Sequence, residues 1–544
     1  MISITPQGQI YLCRTPLEND YKNQLTFTTT SAQESYFTST IYRNFGADDY
    51  TYIKKDSVIK IGIPIDDIIT CNYLFYKNRG FDSKIYYCFI TNMEYVNENC
   101  TAVTIETDVY QTYMFDIVRK RCFVEREHVG DDTIGSNTVP EGLDTGDYIV
   151  NDIETIGYES SNNPETRVVI GVTKVPPGVY SSMSTTSRSY NGILNGLTYY
   201  VFETNTDAAN FIDAMDLSGL ADNIINVFLA PNKLCNNMVW HTYTITIIDF
   251  GSVTFDISFS CNKIPSESTA RVLKDSTTIS INSTLNGYTP KNNKLFTKEY
   301  NFLHITNNSG NDINLAYEDF INNTPTYRVL GAICPGCSIR LVPENYKKFN
   351  TSSNKNLLME YGLVGGKYPV CSWRSDTYTN WLTQNSVNYA MDKIGTVAGI
   401  GVAMAINPGV AALSGVGLIT DLLKEKEKRE TSPIQARGNV NVGDVTYSSG
   451  MNKFTYSKMS CRYEYAKRID DYFSMFGYKV NSVKLPNITG RTNWNYVKTV
   501  DCNFEGNIPQ IYLNKIREIF DKGITLWHNT NTMLDYSQSN NIVS

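Results

Sequence analysis

The chain has 544 residues, room for three or four domains of about 150 residues each. Its 48 Lys and Arg against 55 Asp and Glu leave a net charge of −7, which excludes a whole-molecule basic surface for gripping nucleic acid. Hydrophobic residues at 41 % and charged residues at 19 % exclude a mainly disordered chain.

The aromatic balance is unusual: 38 Tyr and 23 Phe stand against 4 His. Tyr and Phe favour pleated, half-buried surfaces, and so few His thin out the common catalytic and metal-binding repertoire. Met1–Ile10 has neither a basic n-region nor a continuous apolar core, so no secretory signal is expected there. The 12 Cys are then expected to be free, buried thiols of a protein folded in a reducing cytoplasm.

Residues 1–150 read as short strands divided by turns. Val58, Ile59, Ile61 and Ile63 run into Pro64, and Tyr86–Ile90 and Ala102–Ile105 form further apolar runs. The spacing of Val109 and Tyr113 predicts one or two helical turns. Residues 151–290 are again β-rich. Tyr243, Ile245 and Ile247 alternate with Thr244 and Thr246, a turn follows, and Val253, Phe255, Ile257 and Phe259 alternate with Thr254, Asp256 and Ser258. That pattern predicts a hairpin with one apolar face. A short helix is expected over Asp207–Met215, and a third strand-rich stretch over 290–345, from Leu295 and Phe296 to Leu330.

A change in composition follows. A polar helical segment over Tyr378–Lys393 leads into Ile394–Thr420, a run without a single charge, and the string Lys424–Glu430 closes it. Asn407-Pro408-Gly409 interrupts the run near its middle, because Pro removes a backbone donor and Gly permits a reversal. Each arm is then about 20 Å long as helix, short of the ~30 Å hydrocarbon core of a bilayer. Two readings fit: a core hairpin buried in a soluble domain, or a hairpin kept dry by neighbouring subunits and later transferred to a membrane.

The C-terminal region is α+β. Arg462–Phe476 carries Tyr465, Ile469, Tyr472, Phe473 and Phe476 on one helical face and stops at Gly477. Tyr478, Val480, Val483 and Leu485 read as strand. A last helix begins near Pro509, is expected to bury Ile511, Tyr512, Ile516, Ile519 and Phe520, and ends before Gly523.

Chemistry-bearing motifs are sparse. Cys334-Pro335-Gly336-Cys337 has redox or half-zinc spacing, but no second ligand pair follows and strands flank it. Pro and Gly at its centre fit a type II turn joining Tyr327–Ile333 to Ser338–Val342, across which a disulfide could also form. His128 and His528 have no motif partners and read as structural. The pairs Asp66-Asp67, Asp131-Asp132 and Asp470-Asp471 would suit a glycosidase only if distant segments met. No nucleotide-binding loop, nucleophile elbow or zincin motif is present. No enzyme activity, cofactor or metal is expected.

Ordered blocks at the two ends carry a resemblance. Toward the N-terminus these are Glu18–Asn23, Ile63–Asp66, Glu106–Ile117, Phe123–Val129 and Glu141–Leu143. Toward the C-terminus they are Tyr478–Asn481, Lys484–Asn487, Asn495–Val497, Asp501-Cys502 and Ile519–His528. Over these two ends the chain resembles the tail knob (distal tail tube) proteins of small, short-tailed, phi29-like phages of Gram-positive bacteria.

The resemblance implies a mainly β, multidomain tail-tube protein with an α+β C-terminal part, closing as a homo-hexameric ring. The expected segments are 1–150 (N-terminal tube domain), 151–290 (inserted β-rich domain), 291–372 (second β-rich tube segment), 373–430 (hydrophobic loop) and 431–544 (C-terminal α+β tube domain). In that family long hydrophobic loops plug the tube and then enter the host cytoplasmic membrane as a channel for viral double-stranded DNA. Carried onto this sequence, that role falls on Ile394, Val397, Ile400, Val402, Met404, Ile406, Asn407, Pro408, Gly409, Val410, Leu413, Val416, Leu418 and Ile419. Expected partners are the upper tail or collar protein, the tail-tip protein and membrane lipids. DNA is expected to pass without sequence-specific binding. The alternative is a tail adaptor or receptor-binding protein whose Tyr-rich middle contacts wall polysaccharide.

Overall fold

The computed structural model describes residues 8–372, 439–441 and 453–543, apart from 47–49, 54–56, 79–83, 157–165, 180–188, 191–192, 195–196, 236–237, 250–252, 265–270, 309, 332, 334–337, 348–349, 352–353, 356–361 and 368–369. It is mainly β and divides into two compact units. The first comprises Met1–Asp147, Gly287–Glu299 and Arg462–Ser544, so both chain ends belong to it; the second comprises Tyr148–Asn286 and Tyr300–Cys461.

The first unit is built on a seven-stranded sheet in the order Ile41–Phe45, Gly8–Cys13, Tyr73–Asn78, Ile85–Asn97, Cys100–Thr107, Val58–Ile61, Tyr50–Ile53. Strict alternation lets this sheet serve two cores. Tyr73, Phe75, Tyr87 and Phe89 join one cluster with Trp494 and Trp527, while Leu74 and Cys88 join Ile10, Leu12, Ile59 and Val103 on the other face. A five-stranded sheet follows the order Asn23–Leu25, Ile524–Trp527, Trp494–Val500, Cys122–Glu127, Tyr478–Lys484. Its strands come from both ends of the sequence, and Asn23–Leu25 lies parallel to Ile524–Trp527.

The helices follow their periodicity with one correction. Val109–Tyr113, Tyr463–Phe476 and Gln510–Lys522 are helical, and the last two stop at Gly477 and Gly523, both at positive φ. In the final helix Leu513, Ile516, Ile519 and Phe520 are buried, but Ile511 is 73 % exposed. Ile511 sits two positions before Leu513, about 200° around the helix from it, and therefore faces water. Val483 and Leu485 are likewise exposed.

The second unit holds a seven-stranded sheet in the order His241–Asp249, Val253–Lys263, Thr198–Phe202, Thr166–Val172, Ile224–Pro231, Val370–Ser372, Asn439–Asn441. The expected hairpin has the expected register, with Ile245 opposite Ile257 and Tyr243 opposite Phe259. Its polar face is a ladder of hydroxyls, Thr244 to Ser258 at 2.8 Å and Thr242 to Ser260 at 2.9 Å. The helix Asn205–Leu217 opens with a capping box between Thr204 and Asp207 and packs Phe211 and Met215 into the core beneath that sheet.

Two four-stranded sheets complete the unit. One orders Ile149–Ile156, Phe454–Ser460, Asn301–Thr306, Asp312–Leu315; the other orders Arg271–Thr278, Thr326–Gly331, Ser338–Pro343, Leu363–Lys367. Asn293–Phe296, expected as strand, is a 3-10 turn in the first unit. Thr326–Gly331 and Ser338–Pro343 pair antiparallel, as a turn between them requires, although Cys334–Cys337 lies outside the described residues. Among the described side chains the cysteines are thiols, not disulfides, and all are buried except the partly exposed Cys100.

Candidate functional site

The residues expected to carry function, Ile394 through Ile419, lie outside the described residues, as do Tyr378–Lys393 and Lys424–Glu430. The described strands on either side of that segment are Val370–Ser372 and Asn439–Asn441. Val370–Ser372 pairs with Ile224–Pro231, setting Ser372 against Asn226, Cys371 against Val227 and Val370 against Phe228. Asn439–Asn441 then pairs with Val370–Ser372, setting Asn439 against Ser372 and Asn441 against Val370.

The segment 373–438 therefore departs from and returns to directly opposed positions on one sheet edge. The strand beneath is firmly held, since Phe228, Leu229 and Ala230 are buried in the core. The uncharged run 394–420 lies near the middle of the excursion, between flanks 373–393 and 421–438 of similar length. Asn407-Pro408-Gly409 falls next to the midpoint. Among the described residues no helix is long and apolar enough to cross a membrane.

The blocks that carry the resemblance meet in the first unit, around a buried polar network. Strand Cys122–Glu127 lies between Tyr478–Lys484 and Trp494–Val500, joining three of those blocks in one sheet. The Glu141 side chain is fully buried and forms ion pairs with Arg126 and Lys294, while the Lys479 N–H donates to it at 2.8 Å. Glu299 in turn accepts from the N–H groups of Glu141 and Gly142, each at 3.0 Å. Arg126 also donates to the Gly477 carbonyl at 2.8 Å. The Glu141 carboxylate offsets the desolvation of two cations because its oxygens are held by several charged and backbone donors at once. Burial nonetheless pulls the Lys294 ammonium below its ordinary pKa.

His128 has a defined tautomer. The Tyr496 N–H donates to Nδ1 at 2.8 Å, so the ring proton sits on Nε2, 3.1 Å from the Ser474 carbonyl oxygen. Burial first, then the nearby Arg491 charge, lowers its pKa to about 3, and the ring is neutral across the physiological range. His528 Nε2 faces Asn495 Oδ1 at 2.9 Å, and its pKa is also lowered by burial. Both His are therefore packing groups with fixed polar partners.

Two of the acidic pairs bring carboxylates from distant segments to the same loop. Asp132 accepts from Tyr478 Oη and, at 3.1 Å, from the Asn293 N–H. Asp470 accepts from Tyr288 Oη at 2.8 Å and from the N–H groups of Lys291 and Asn292 at 2.7 and 3.0 Å. Both acids clamp residues 288–293 through hydrogen bonds, which is a structural task. Sequence periodicity missed this network because its partners lie far apart in the chain. Among the described residues no group of three or more His, Cys, Asp or Glu is arranged to hold a metal ion.

Comparison with known proteins agrees with this organisation. The family model for the C-terminal domain of the Bacillus phage phi29 tail knob protein gp9 matches residues 267–541, just over half of the chain. The model for the caudoviral major tail protein N-terminus matches residues 9–120. The tail knob protein gp9 of Bacillus phage phi29 is 25 % identical over 588 residues, covering 98 % of each chain. That of Bacillus phage B103 is 26 % identical over 584 residues, covering 97 % of each. The solved tail knob protein gp12 of bacteriophage C1 matches with a TM-score of 0.64 at 16 % identity, over 98 % of this chain and 100 % of that one, which is a likeness of fold.

Proposed function

Because this chain belongs to the tail knob protein family of phi29-like Bacillus phages, a structural component of the virion's distal tail, we propose that it builds a tube plugged by its own membrane-active hairpin. Six copies form the tube, and Ile394–Ile419 of each copy plugs the lumen. When the tail reaches the host cytoplasmic membrane the hairpins leave the tube, insert, and open a channel for double-stranded DNA. The upper tail or collar protein and the tail-tip protein are its neighbours in the virion. The role is mechanical and needs no active site, cofactor or metal.

The observation that carries this reading is the pairing of Ser372 with Asn439 around an excursion with an uncharged centre. Each half of 373–438 reaches ~50 Å as helix or ~110 Å when extended. Either length exceeds half of a ~30 Å hydrocarbon core. Transfer of ten apolar side chains per hairpin from partial exposure to lipid contributes on the order of 10 kcal/mol, at ~25 cal/mol per Å². That offsets the cost of leaving the plug without nucleotide hydrolysis. A subunit charge of −7 also favours a wall that does not hold passing phosphates.

Vesicle leakage tests the proposal. The intact protein releases dye from liposomes of bacterial lipid composition, and replacement of 394–420 by a Gly-Ser linker abolishes release while leaving the fold intact. Equal release by both proteins removes the channel role.

A further inference from the structure

The helix Asn205–Leu217 ends on two carboxylates one turn apart, Asp213 and Asp216. Asp216 is 5 % exposed, and its Oδ1 is buried without a hydrogen-bond partner. Asp213 is half-buried. No basic residue occupies the last turn of the helix. The helix macrodipole adds partial negative charge at this same end.

The setting opposes ionisation of both groups. Burial, then the neighbouring Asp216, raises the Asp213 pKa to about 7, and burial raises that of Asp216 to about 6. Asp207, at the other end of the helix, shows the usual solution: its carboxylate completes a capping box at the positive end of the dipole and accepts the Ser260 N–H at 2.8 Å. The buried Asp470, the buried Glu141 carboxylate and the half-buried Asp132 are likewise supplied with donors. Oδ1 of Asp216 has no donor among the described residues.

We propose that Asp213 and Asp216 bind a hydrated divalent cation of the calcium–magnesium class. Such ions take oxygen ligands and accept a site of one or two carboxylates completed by water and carbonyl oxygens. The Ala214 carbonyl, which accepts from the Ser218 N–H, belongs to the same turn and keeps a second lone pair, whereas that of Asp216 already accepts from both Ser218 and Gly219. With two side-chain ligands the affinity falls in the weak range of extracellular calcium sites, ~0.1–1 mM. The cation would remove the repulsion between the acids, offset the dipole and satisfy the orphaned oxygen together.

Thermal unfolding of the intact protein at pH 8, in EDTA and against rising CaCl2 or MgCl2 at constant ionic strength, tests the site. A saturable rise in unfolding temperature, half complete at ~0.1–1 mM of either cation, is expected. Asp216→Asn, which is isosteric, raises the unfolding temperature in EDTA and abolishes the cation-dependent rise. Asp213→Asn shifts the midpoint at least ~10-fold higher, as loss of one of two charged ligands implies. Absence of a saturable rise with both cations, or the same rise in the Asp213→Asn/Asp216→Asn double variant, overturns the proposal.

Discussion

Ser372 and Asn439 are direct antiparallel partners on the edge of a seven-stranded sheet, although the whole of 373–438 separates them in the chain. Opposed residues of such a ladder lie about 5 Å apart, so a tight turn can bridge them. A short turn in place of 373–438 would therefore be long enough to keep these two strands paired.

Replacing 373–438 by a short Gly-rich turn should leave the second unit folded, with an unchanged far-ultraviolet circular dichroism spectrum per residue and an unfolding temperature within a few degrees of the parent. Loss of cooperative unfolding would show that the excursion is part of the core.

Glu141 neutralises two buried cations, so Glu141→Ala should cost about 3–5 kcal/mol, read from urea unfolding at pH 7. The more exposed pair Lys84–Asp116 is the control, and Asp116→Ala should cost under ~1 kcal/mol. Equal costs would contradict the role assigned to the network.

Gly477 combines a φ of 65° with a close approach to the neighbouring strand, where an added Cβ would lie 2.2 Å from the Glu127 carbonyl oxygen. Gly477→Ala meets both backbone strain and collision with main chain. A loss of at least ~2 kcal/mol is expected, with the helix Tyr463–Phe476 losing hydrogen-exchange protection first.

His128 makes the first unit acid-sensitive. Its folded pKa of about 3 lies below the ordinary 6.5, so between those values the unfolded chain takes up a proton that the folded chain refuses. The contribution is complete above pH 6.5 and is lost as pH falls toward 3. His128→Gln should flatten this part of the stability profile, measured by urea midpoints from pH 3 to 7.

Asp108 acts in the opposite sense. It is buried, caps the helix Val109–Tyr113 through the Gln111 N–H at 3.0 Å, and accepts from Tyr73 Oη at 3.0 Å. Burial raises its pKa from 3.8 to about 7, so the folded state holds a proton that the unfolded state releases. Its penalty grows from about pH 4 to pH 7 and is constant above. Asp108→Asn should remove that slope and improve relative stability at pH 8 over pH 5.

Much of the local structure was legible in the residues. The alternation at Tyr243–Phe259, the helical face of Arg462–Phe476 and the stop signals Gly477 and Gly523 are short-range signals that the fold obeys. Ile511 was misplaced because the apolar residues crowded into that helix over-determine a face, and only packing decides which of them turns outward. The clamps on residues 288–293 and the Glu141 network were illegible, since Glu141 and Lys479 are 338 residues apart. The uncharged run announced itself by composition. The meeting of its two bases did not, because strands as short as Val370–Ser372 and Asn439–Asn441 have no period to read.

Membrane insertion requires that the centre of 373–438 exchange protein surroundings for lipid. An environment-sensitive fluorophore at Ile406→Cys, in a background with Cys100, Cys334, Cys337 and Cys371 changed to Ser so that Cys100, the partly exposed thiol among the described residues, and the three undescribed thiols are removed, reports this directly. On adding vesicles containing spin-labelled lipids, the fluorophore should shift to the blue and be quenched by labels deep in the acyl chains. An unshifted spectrum with no quenching, under conditions in which the same vesicles leak, would contradict it.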